Sequence, residues 1–222
     1  MSRTALVTGG TGGLGVAVTT ALRDQGWHVV VPWVNPEEVT RLGDTREITL
    51  VEADLTNVDS VGSCVEAAGA DLRAVVNLVG GFAMGGRVHE TPVDDFESLL
   101  RLNLRPTYLV CQAAIPVLLA AGGGSVVCVS AQATRRPFAG AAGYLTAKTA
   151  ILGLVGALHA EYAGDQIRVN AILPNVIDTP ANRAAQPGAN HSGWTAPSEI
   201  ASTVAFLCGD ESISVKGAHI PV

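Results

Sequence analysis

The sequence predicts an α/β fold in which a doubly wound parallel sheet of about seven strands carries helices on both faces. The main observation is that short apolar runs alternate with longer helical segments along all 222 residues. Such runs suit the strands of a parallel sheet. The crossover helices between parallel strands cover both faces of the sheet and bury the strands between them. The second observation is a glycine-rich turn, residues 8–15, between the first apolar run and the first helical segment. The length fits a single domain covering residues 1–222.

Composition argues against nucleic acid and membrane partners, and a small-molecule substrate is expected. The chain is 48% hydrophobic and 15% charged, so a large core is easily filled. Its net charge is -6 and no basic stripe occurs, which argues against nucleic acid and membrane surfaces. The first strand is expected so close to Met1 that no signal peptide precedes it. The four cysteines have no C-x-x-C spacing, so no metal site and a cytoplasmic location with reduced thiols are expected.

The elements follow from hydrophobic runs and breakers. The predicted strands cover residues 5–7, 27–31, 48–51, 74–79, 125–130, 167–173 and 217–222. The predicted helices cover residues 16–22, 36–43, 57–68, 91–121, 144–162 and 198–207. Pro32 is expected to end the second strand, because proline cannot donate to a central ladder. Pro106 and Pro116 are expected to bend or break the long helix. Residues 82–90 are predicted to be mobile, and residues 174–197 to form an irregular substrate loop.

Polar and glycine residues follow the ends of several predicted strands. They are Gly9, Asp54, Asn77, Ser130 and Pro174. In open parallel sheets, ligands bind beyond the carboxyl ends of the strands. These positions are therefore expected to converge on one ligand-binding edge.

The glycine turn predicts a dinucleotide site, because a strand precedes it and a helix follows it. Gly9 would make the tight turn, Gly13 would let the backbone approach a pyrophosphate, and Gly15 would let the helix pack closely on the sheet. The positive helix end would then face the phosphates. The alternative is a glycine-rich turn without a ligand.

Tyr144 and Lys148 are four residues apart in a predicted helix, so they share one face. A neighbouring cation favours the phenolate, and the spacing therefore predicts a Tyr144 pKa below its usual value of about 10. Such a tyrosine would serve as a general acid or base. The alternative is an amphipathic helix with an incidental tyrosine.

Together, these features resemble the short-chain dehydrogenase/reductase family over nearly the whole chain. Residues 8–15 match the family's TGxxxGxG turn, and Tyr144 with Lys148 matches its catalytic pair. The resemblance implies a Rossmann-type fold, NAD(P)(H) as cofactor, and a helix-bundle homodimer or homotetramer. It also implies that Asn103 steadies a proton-relay water, as a third catalytic residue. Asn77 and Gly80 fall where the family has NNAG, although Leu78 and Val79 depart from it.

The resemblance assigns roles to further positions. Asp54 would lie near the adenine, and Lys148 would also hold the nicotinamide ribose. The loop residues Pro174, Ile177 and Thr179 would hold the carboxamide. The full set expected at the cofactor is Gly9, Thr11, Gly12, Gly13, Leu14, Gly15, Trp33, Asp54, Leu55, Asn77, Gly80, Tyr144, Lys148, Pro174, Ile177 and Thr179.

The family's catalytic serine is missing. That serine lies thirteen positions before the tyrosine, where this chain has Ala131. Ser130 is one residue away, and neighbouring side chains on an extended segment point in opposite directions. Because the serine usually bonds the reacting carbonyl oxygen, its loss implies either a weaker carbonyl reductase or a substrate that needs less help at that atom.

The cofactor signals at the end of the second strand are also missing. An acidic residue there is typical of NAD sites and an arginine of NADP sites. This chain has Trp33 and Val34, with Gly12 in the turn. Arg41 or Arg3 could reach a 2′-phosphate, but the uncharged positions predict weak discrimination with a slight preference for NAD(H).

The loop suggests a substrate. Residues 173–183 and 192–195 resemble the corresponding loop of dihydropteridine reductases, which also lack the serine. That local resemblance implies a cyclic imine-like or quinonoid substrate. Ala131 at the serine position and His191 and Trp194 in the loop are candidate contacts; the alternatives are a solvated histidine and a tryptophan that only anchors the loop. An ordinary carbonyl compound is the runner-up. Two other classes stay open: an NAD(P)-binding regulator without turnover, and a non-redox cyclase or lyase that uses Tyr144 as a base.

Overall fold

The computed structural model describes residues 3–222 and contains one parallel sheet. Its seven strands lie in the order β3-β2-β1-β4-β5-β6-β7, so the predicted fold class is confirmed. The strands are β1 (Thr4–Thr8), β2 (His28–Trp33), β3 (Ile48–Glu52), β4 (Leu72–Asn77), β5 (Gly124–Val129), β6 (Ile167–Leu173) and β7 (His219–Pro221). The chain reverses direction across the sheet between β3 and β4, which places a topological switch point between β1 and β4.

Helices cover both faces of the sheet. They are α1 (Gly15–Asp24), α2 (Pro36–Val39), α3 (Val58–Ala68), α4 (Val93–Asn103), α5 (Arg105–Ala120), α6 (Ala142–Tyr162), α7 (Pro180–Ala185) and α8 (Pro197–Cys208). Alternate strand residues enter different cores, because successive side chains point to opposite faces. Leu6 belongs to the core layer that includes side chains of α3, α5 and α6, whereas Ala5 and Val7 belong to the layer that includes side chains of α1 and α8. No helix within residues 3–222 is both long and apolar enough to cross a membrane.

Pro32 does not end β2, so that prediction was wrong. The strand continues through Pro32 to Trp33, and Pro32 pairs with Val51 of β3. The amide of Val29 donates to Glu47 on the β3 side, so position 32, three residues on, faces β1. The recorded pairing between β1 and β2 ends at Val30, and the missing N–H therefore breaks no ladder bond.

The predicted long helix is two helices. It breaks at Leu104, between α4 and α5, because the ring of Pro106 would clash with the carbonyl four residues earlier in a continuous helix. Pro116 lies inside α5 without ending it. The carbonyl that it leaves without a donor belongs to Gln112, on the exposed side of the helix, where water can bond it.

The stretch expected to be irregular contains a helix. Helix α7 covers Pro180–Ala185, and the side chain of Thr179 caps it by accepting a bond from the Asn182 amide at 3.2 Å. A threonine cap followed by proline is a helix-start signal, which the proline and glycine content of the stretch obscured. Helix α6 also begins two residues before the predicted start, at Ala142.

Candidate active site

The glycine turn joins β1 to α1 at the carboxyl edge of the sheet. Gly9 has a φ of +67°, as a tight turn requires, and a Cβ at Gly15 would overlap the Gly9 carbonyl. The close contact of Gly15 is therefore with the turn itself rather than with the sheet. In residues 3–222 the amides of Gly13 and Leu14 have no acceptor, so they are free to bind an anion at the start of α1.

The turn faces the loop after β6. A Cβ built on Gly13 would lie 2.7 Å from the Thr179 methyl carbon, so a side chain there would fill the space between turn and loop. Predicted cofactor positions from both ends of the sequence are thus brought together. An open glycine cradle with unpaired amides fits the pyrophosphate of a dinucleotide.

Lys148 is buried next to Gly80, at the edge of the sheet that carries the predicted site. Its ammonium is buried and donates to the Val129 carbonyl at 3.1 Å. Burial lowers the pKa of Lys148 to about 8, because removal from water disfavours the charged form. Its Nζ atom lies 6.0 Å from the Tyr144 ring centroid, on the shared face that the spacing predicted.

The expected direction of the Tyr144 pKa was wrong. Burial raises the pKa of the Tyr144 hydroxyl above its ordinary value, since the phenolate is poorly solvated there. The Lys148 ammonium does not offset this effect; it donates to the Val129 carbonyl and lies 6.0 Å from the Tyr144 ring centroid. Tyr144 is therefore held in the protonated form, which suits a proton donor.

Asn103 ties the loop after β4 to the site. Its Oδ1 accepts from the Gly81 amide at 3.1 Å, and its Nδ2 donates to the Gly81 carbonyl at 3.0 Å. A Cβ on Gly80 would lie 2.6 Å from Asn103 Oδ1 and 3.0 Å from Lys148 Nζ. Asn103, Gly80 and Lys148 therefore meet at one point, and the Asn103 side chain is committed to the loop.

Ser130 does not replace the missing serine. Its hydroxyl is buried and donates to the backbone carbonyl of Lys148 at 2.8 Å, inside the protein. Ala131 is buried at the position where the family carries its serine. The alternation of neighbouring side chains thus holds, and the site has no hydroxyl at residue 131.

Three predicted cofactor positions differ in what their side chains do. Asp54 accepts from the amide and hydroxyl of Thr56, both at 2.8 Å, and these bonds lower its pKa. Leu55 packs in the hydrophobic core. The buried Asn77 amide nitrogen contacts the sulfur atoms of Cys111 and Cys128 at 3.5 and 3.7 Å. The side chains of Leu55 and Asn77 thus point inward, so only their backbone faces the edge.

An aromatic cluster that the sequence reasoning missed includes Tyr144. The ring of Phe82 meets it edge-on, with centroids 5.0 Å apart, and Phe138 lies 6.3 Å from Phe82. Phe82 is 57% exposed, although it is a large apolar residue. Its place directly after Gly80-Gly81, at the end of a strand, was the available signal.

A cleft of about 590 Å³ lies beside this cluster. It is formed by the segment after Phe82, by α4 and by the start of α6. Its lining residues are Ala83, Met84, Gly85, Gly86, Val88, Thr91, Val93, Asp95, Phe96, Ser98, Leu99, Gly140, Ala142 and Gly143. The lining is mainly apolar and contains no basic side chain, so it suits a neutral ligand.

The two candidate loop contacts pack on each other. The rings of His191 and Trp194 lie 4.2 Å apart, and Thr195 pairs with Ile177 in a short bridge. This bridge folds residues 191–195 back onto the segment that was predicted to hold the carboxamide. The role of both rings toward a substrate stays a prediction.

The segment after β2 carries a charged pair near the glycine turn, although the residues at the end of β2 itself are uncharged. Thr11 donates to Glu38 Oε2 at 3.2 Å, and Glu38 Oε1 forms a 3.2 Å ion pair with Arg41. Arg3 cannot reach this place, contrary to expectation. It precedes β1 at the opposite edge of the sheet, where it stacks 4.3 Å over Trp27.

Comparison with known proteins agrees with this geometry. The chain is 30% identical over 241 residues to a 2-(R)-hydroxypropyl-CoM dehydrogenase of Xanthobacter autotrophicus, covering 99% of this chain and 96% of the relative. The structure of ElxO with NADP bound superposes with a TM-score of 0.92 at 21% identity, covering 100% of this chain and 97% of that one.

A carveol dehydrogenase from Mycobacterium avium in complex with NAD superposes with a TM-score of 0.88 at 22% identity, covering 99% of this chain and 95% of that one. At these identities the two superpositions show the fold. Residues 3–190 match the family described as short chain dehydrogenase. The glycine turn, the Tyr144–Lys148 pair and these matches agree, and the chain belongs to the short chain dehydrogenase family.

Proposed function

We propose that the protein is an NAD(P)(H)-dependent oxidoreductase that reduces a small cyclic imine-like or quinonoid substrate. The observation that carries the proposal is the meeting of Gly80, Asn103 and Lys148 beside Tyr144 at the edge that carries the glycine turn. The chain's relative named as a dehydrogenase and the neighbours with NADP and NAD bound support a nicotinamide cofactor.

Different residues of the chain would bind the cofactor and supply the proton. Gly13 and Leu14 would bind the pyrophosphate through their amides, and Thr179 would close the slot from the opposite side. When bound, the nicotinamide supplies or accepts the hydride. Tyr144 would give its hydroxyl proton to the substrate atom that gains electrons. Its raised pKa keeps that proton in place until the substrate takes it.

Two features favour a planar ring as substrate. Ala131 offers no hydrogen-bond donor to a carbonyl oxygen. A ring that spreads its developing negative charge over nitrogen depends less on such a donor than a ketone does. Phe82 and Phe138 leave aromatic surface exposed beside Tyr144, on which a flat ring can stack. The cleft beyond them is mainly apolar and is lined by Asp95 but by no basic side chain, which disfavours substrates that need a basic partner.

Turnover with defined substrates tests the proposal. Purified protein is mixed with NADH or NADPH and either a quinonoid dihydropterin or a panel of ketones, and absorbance loss at the nicotinamide band is followed. We expect turnover of the pterin at a kcat/KM at least about tenfold above that of any ketone. Higher values for the ketones would make an ordinary carbonyl reductase the better assignment, and cofactor binding without turnover would favour a regulator.

The aromatic cluster has its own test. Phe82→Ala should raise KM for the ring substrate by about tenfold, the scale of a lost stacking contact, with little change in cofactor affinity. Phe206→Ala is the matched control, because Phe206 is an exposed phenylalanine on α8, in the other helix layer. An equal effect of both substitutions would remove Phe82 from the substrate site.

A further inference from the structure

We infer that Glu38 selects NAD(H) over NADP(H) in this protein, in place of the acidic residue that is absent from the end of β2. The inference rests on the proposed use of a nicotinamide cofactor and names a specificity-determining residue for it. Trp33 and Val34 carry no charge at the strand end. The structure supplies the charge from α2, five residues further along, by folding that helix back toward the glycine turn.

Both oxygens of the Glu38 carboxylate are fixed. Oε2 accepts from the buried Thr11 hydroxyl at 3.2 Å, within the glycine turn, and Oε1 pairs with Arg41 Nη1 at 3.2 Å. Its side chain is 33% exposed, so it can still accept a bond from a ligand. The carboxylate therefore stands at a defined point between the turn and the segment after β2.

That point is where the adenosine ribose lies in dinucleotide-binding sheets of this type. A carboxylate there accepts a bond from the ribose 2′-hydroxyl of NAD(H). A 2′-phosphate, with close to two negative charges, would be repelled by the same group. Glu38 also pairs with Arg41 through Nη1, so this guanidinium is less available to a 2′-phosphate. Glu38 thus acts twice, by repelling the phosphate and by engaging Arg41.

The neighbouring acid provides a matched control. Glu37 precedes Glu38 in α2 and is exposed to solvent. Its hydrogen bonds to Asn35 and Thr40 use its backbone amide and its backbone carbonyl. A Gln substitution at either position removes one negative charge and keeps the size of the side chain. The two variants therefore separate the specific position of Glu38 from a general change in charge.

The test is direct binding of NADH and NADPH, followed by nicotinamide fluorescence, to the wild type and to Glu38→Gln, Glu37→Gln and Glu38→Gln/Arg41→Ala. We expect the wild type to bind NADH at least about tenfold more tightly than NADPH. Glu38→Gln should bring the two Kd values within about threefold of each other, chiefly by tightening NADPH, because Arg41 is released. Glu37→Gln should keep the wild-type ratio, and the double variant should lose the gain in NADPH affinity.

Two outcomes would overturn the inference. Binding of NADPH by the wild type as tightly as NADH, or an unchanged ratio in Glu38→Gln, would show that Glu38 does not select the cofactor while leaving the proposed oxidoreductase function intact. If neither cofactor binds the wild type, the proposed function fails and this inference fails with it.

Discussion

The Ser130 hydroxyl donates to the backbone carbonyl of Lys148 at 2.8 Å, which anchors helix α6 to the end of β5. This bond is buried and lies one residue from the position where the family carries its catalytic serine. The hydroxyl next to the site is thus structural. It fixes the part of α6 that presents Lys148, on the same face as Tyr144, the proposed proton donor.

Ser130→Ala should lower stability without changing the chemistry. Loss of one buried hydrogen bond costs about 1 kcal/mol. For a chain of this length that corresponds to a fall in Tm of about 3 °C. Thermal unfolding measures the fall, and NADH affinity and kcat should stay within about twofold of wild type. A large loss of kcat at unchanged NADH affinity would return Ser130 to the list of catalytic residues.

Ala131→Ser should restore a hydrogen-bond donor to the carbonyl oxygen of a substrate. The new hydroxyl would occupy the family position, where a donor lowers the barrier to carbonyl reduction. We expect kcat/KM for ketones to rise by about tenfold or more, with a smaller change for the ring substrate. Steady-state kinetics on both substrates decide the result. Equal gains on both would mean that the alanine does not determine the substrate class.

Tyr144→Phe should keep the fold and cofactor binding while kcat falls by about a hundredfold, the usual scale for loss of a general acid. The remaining rate would come from water as proton donor. Tyr162→Phe, at the end of the same helix, is the control and should have near-normal kinetics. Near-normal turnover of Tyr144→Phe would place the proton donor elsewhere.

The pH dependence of kcat/KM should follow the ionisation of Lys148. Its pKa is lowered from 10.5 to about 8, so the ammonium is present below pH 8 and is lost above it. If that charge supports the proton transfer, kcat/KM should fall by about tenfold per pH unit above pH 8. Tyr144 does not produce this fall, because burial raises its pKa.

Unfolding would not explain such a loss. Between pH 8 and 9 the unfolded chain keeps the lysine proton that the folded chain releases, so this group makes the folded state more stable as the pH rises. Circular dichroism over the same range checks that the fold persists. Lys216→Met, which removes the exposed lysine, should keep the profile. A profile that stays flat to pH 9.5 would contradict the role given to Lys148.

We also propose a homodimer or homotetramer built on α6. Ala147, Ile151 and Val155 cover the sheet from one face of this helix. The other face exposes small residues, among them Gly153 and Gly156, where an added Cβ would meet nothing within 4 Å. Because that face is apolar and flat, a second copy is expected to cover it.

Light scattering tests the assembly. The wild type should be at least dimeric at micromolar concentration. Gly156→Arg should give monomers, because the charge would be buried in the contact, whereas Gly62→Arg on the exposed side of α3 should leave the mass unchanged. A monomeric wild type would rule the assembly out.

Local patterns in the sequence determined the order of the elements and the edge at which they meet. Apolar runs, glycine breaks and the spacing of Tyr144 and Lys148 depend on residues near one another in the chain, so they could be interpreted without a structure. Parallel strands then bring their carboxyl ends to one edge by topology alone, which is why Gly13 and Thr179 fall at the same slot. The exceptions, such as Pro32 within β2, arose where pairing with a neighbouring strand ends early.

Only the tertiary structure decided what each side chain at that edge contacts. The Ser130 bond to α6, the placement of Asn103 against Gly80, the seat of Phe82 on Tyr144 and the reach of Glu38 to Thr11 all join segments that are distant in sequence. So does the sign of the Tyr144 pKa shift, because burial is a property of the packed protein. Contacts of this kind depend on side-chain rotamers and on how the helices pack against the sheet. A local sequence pattern encodes neither.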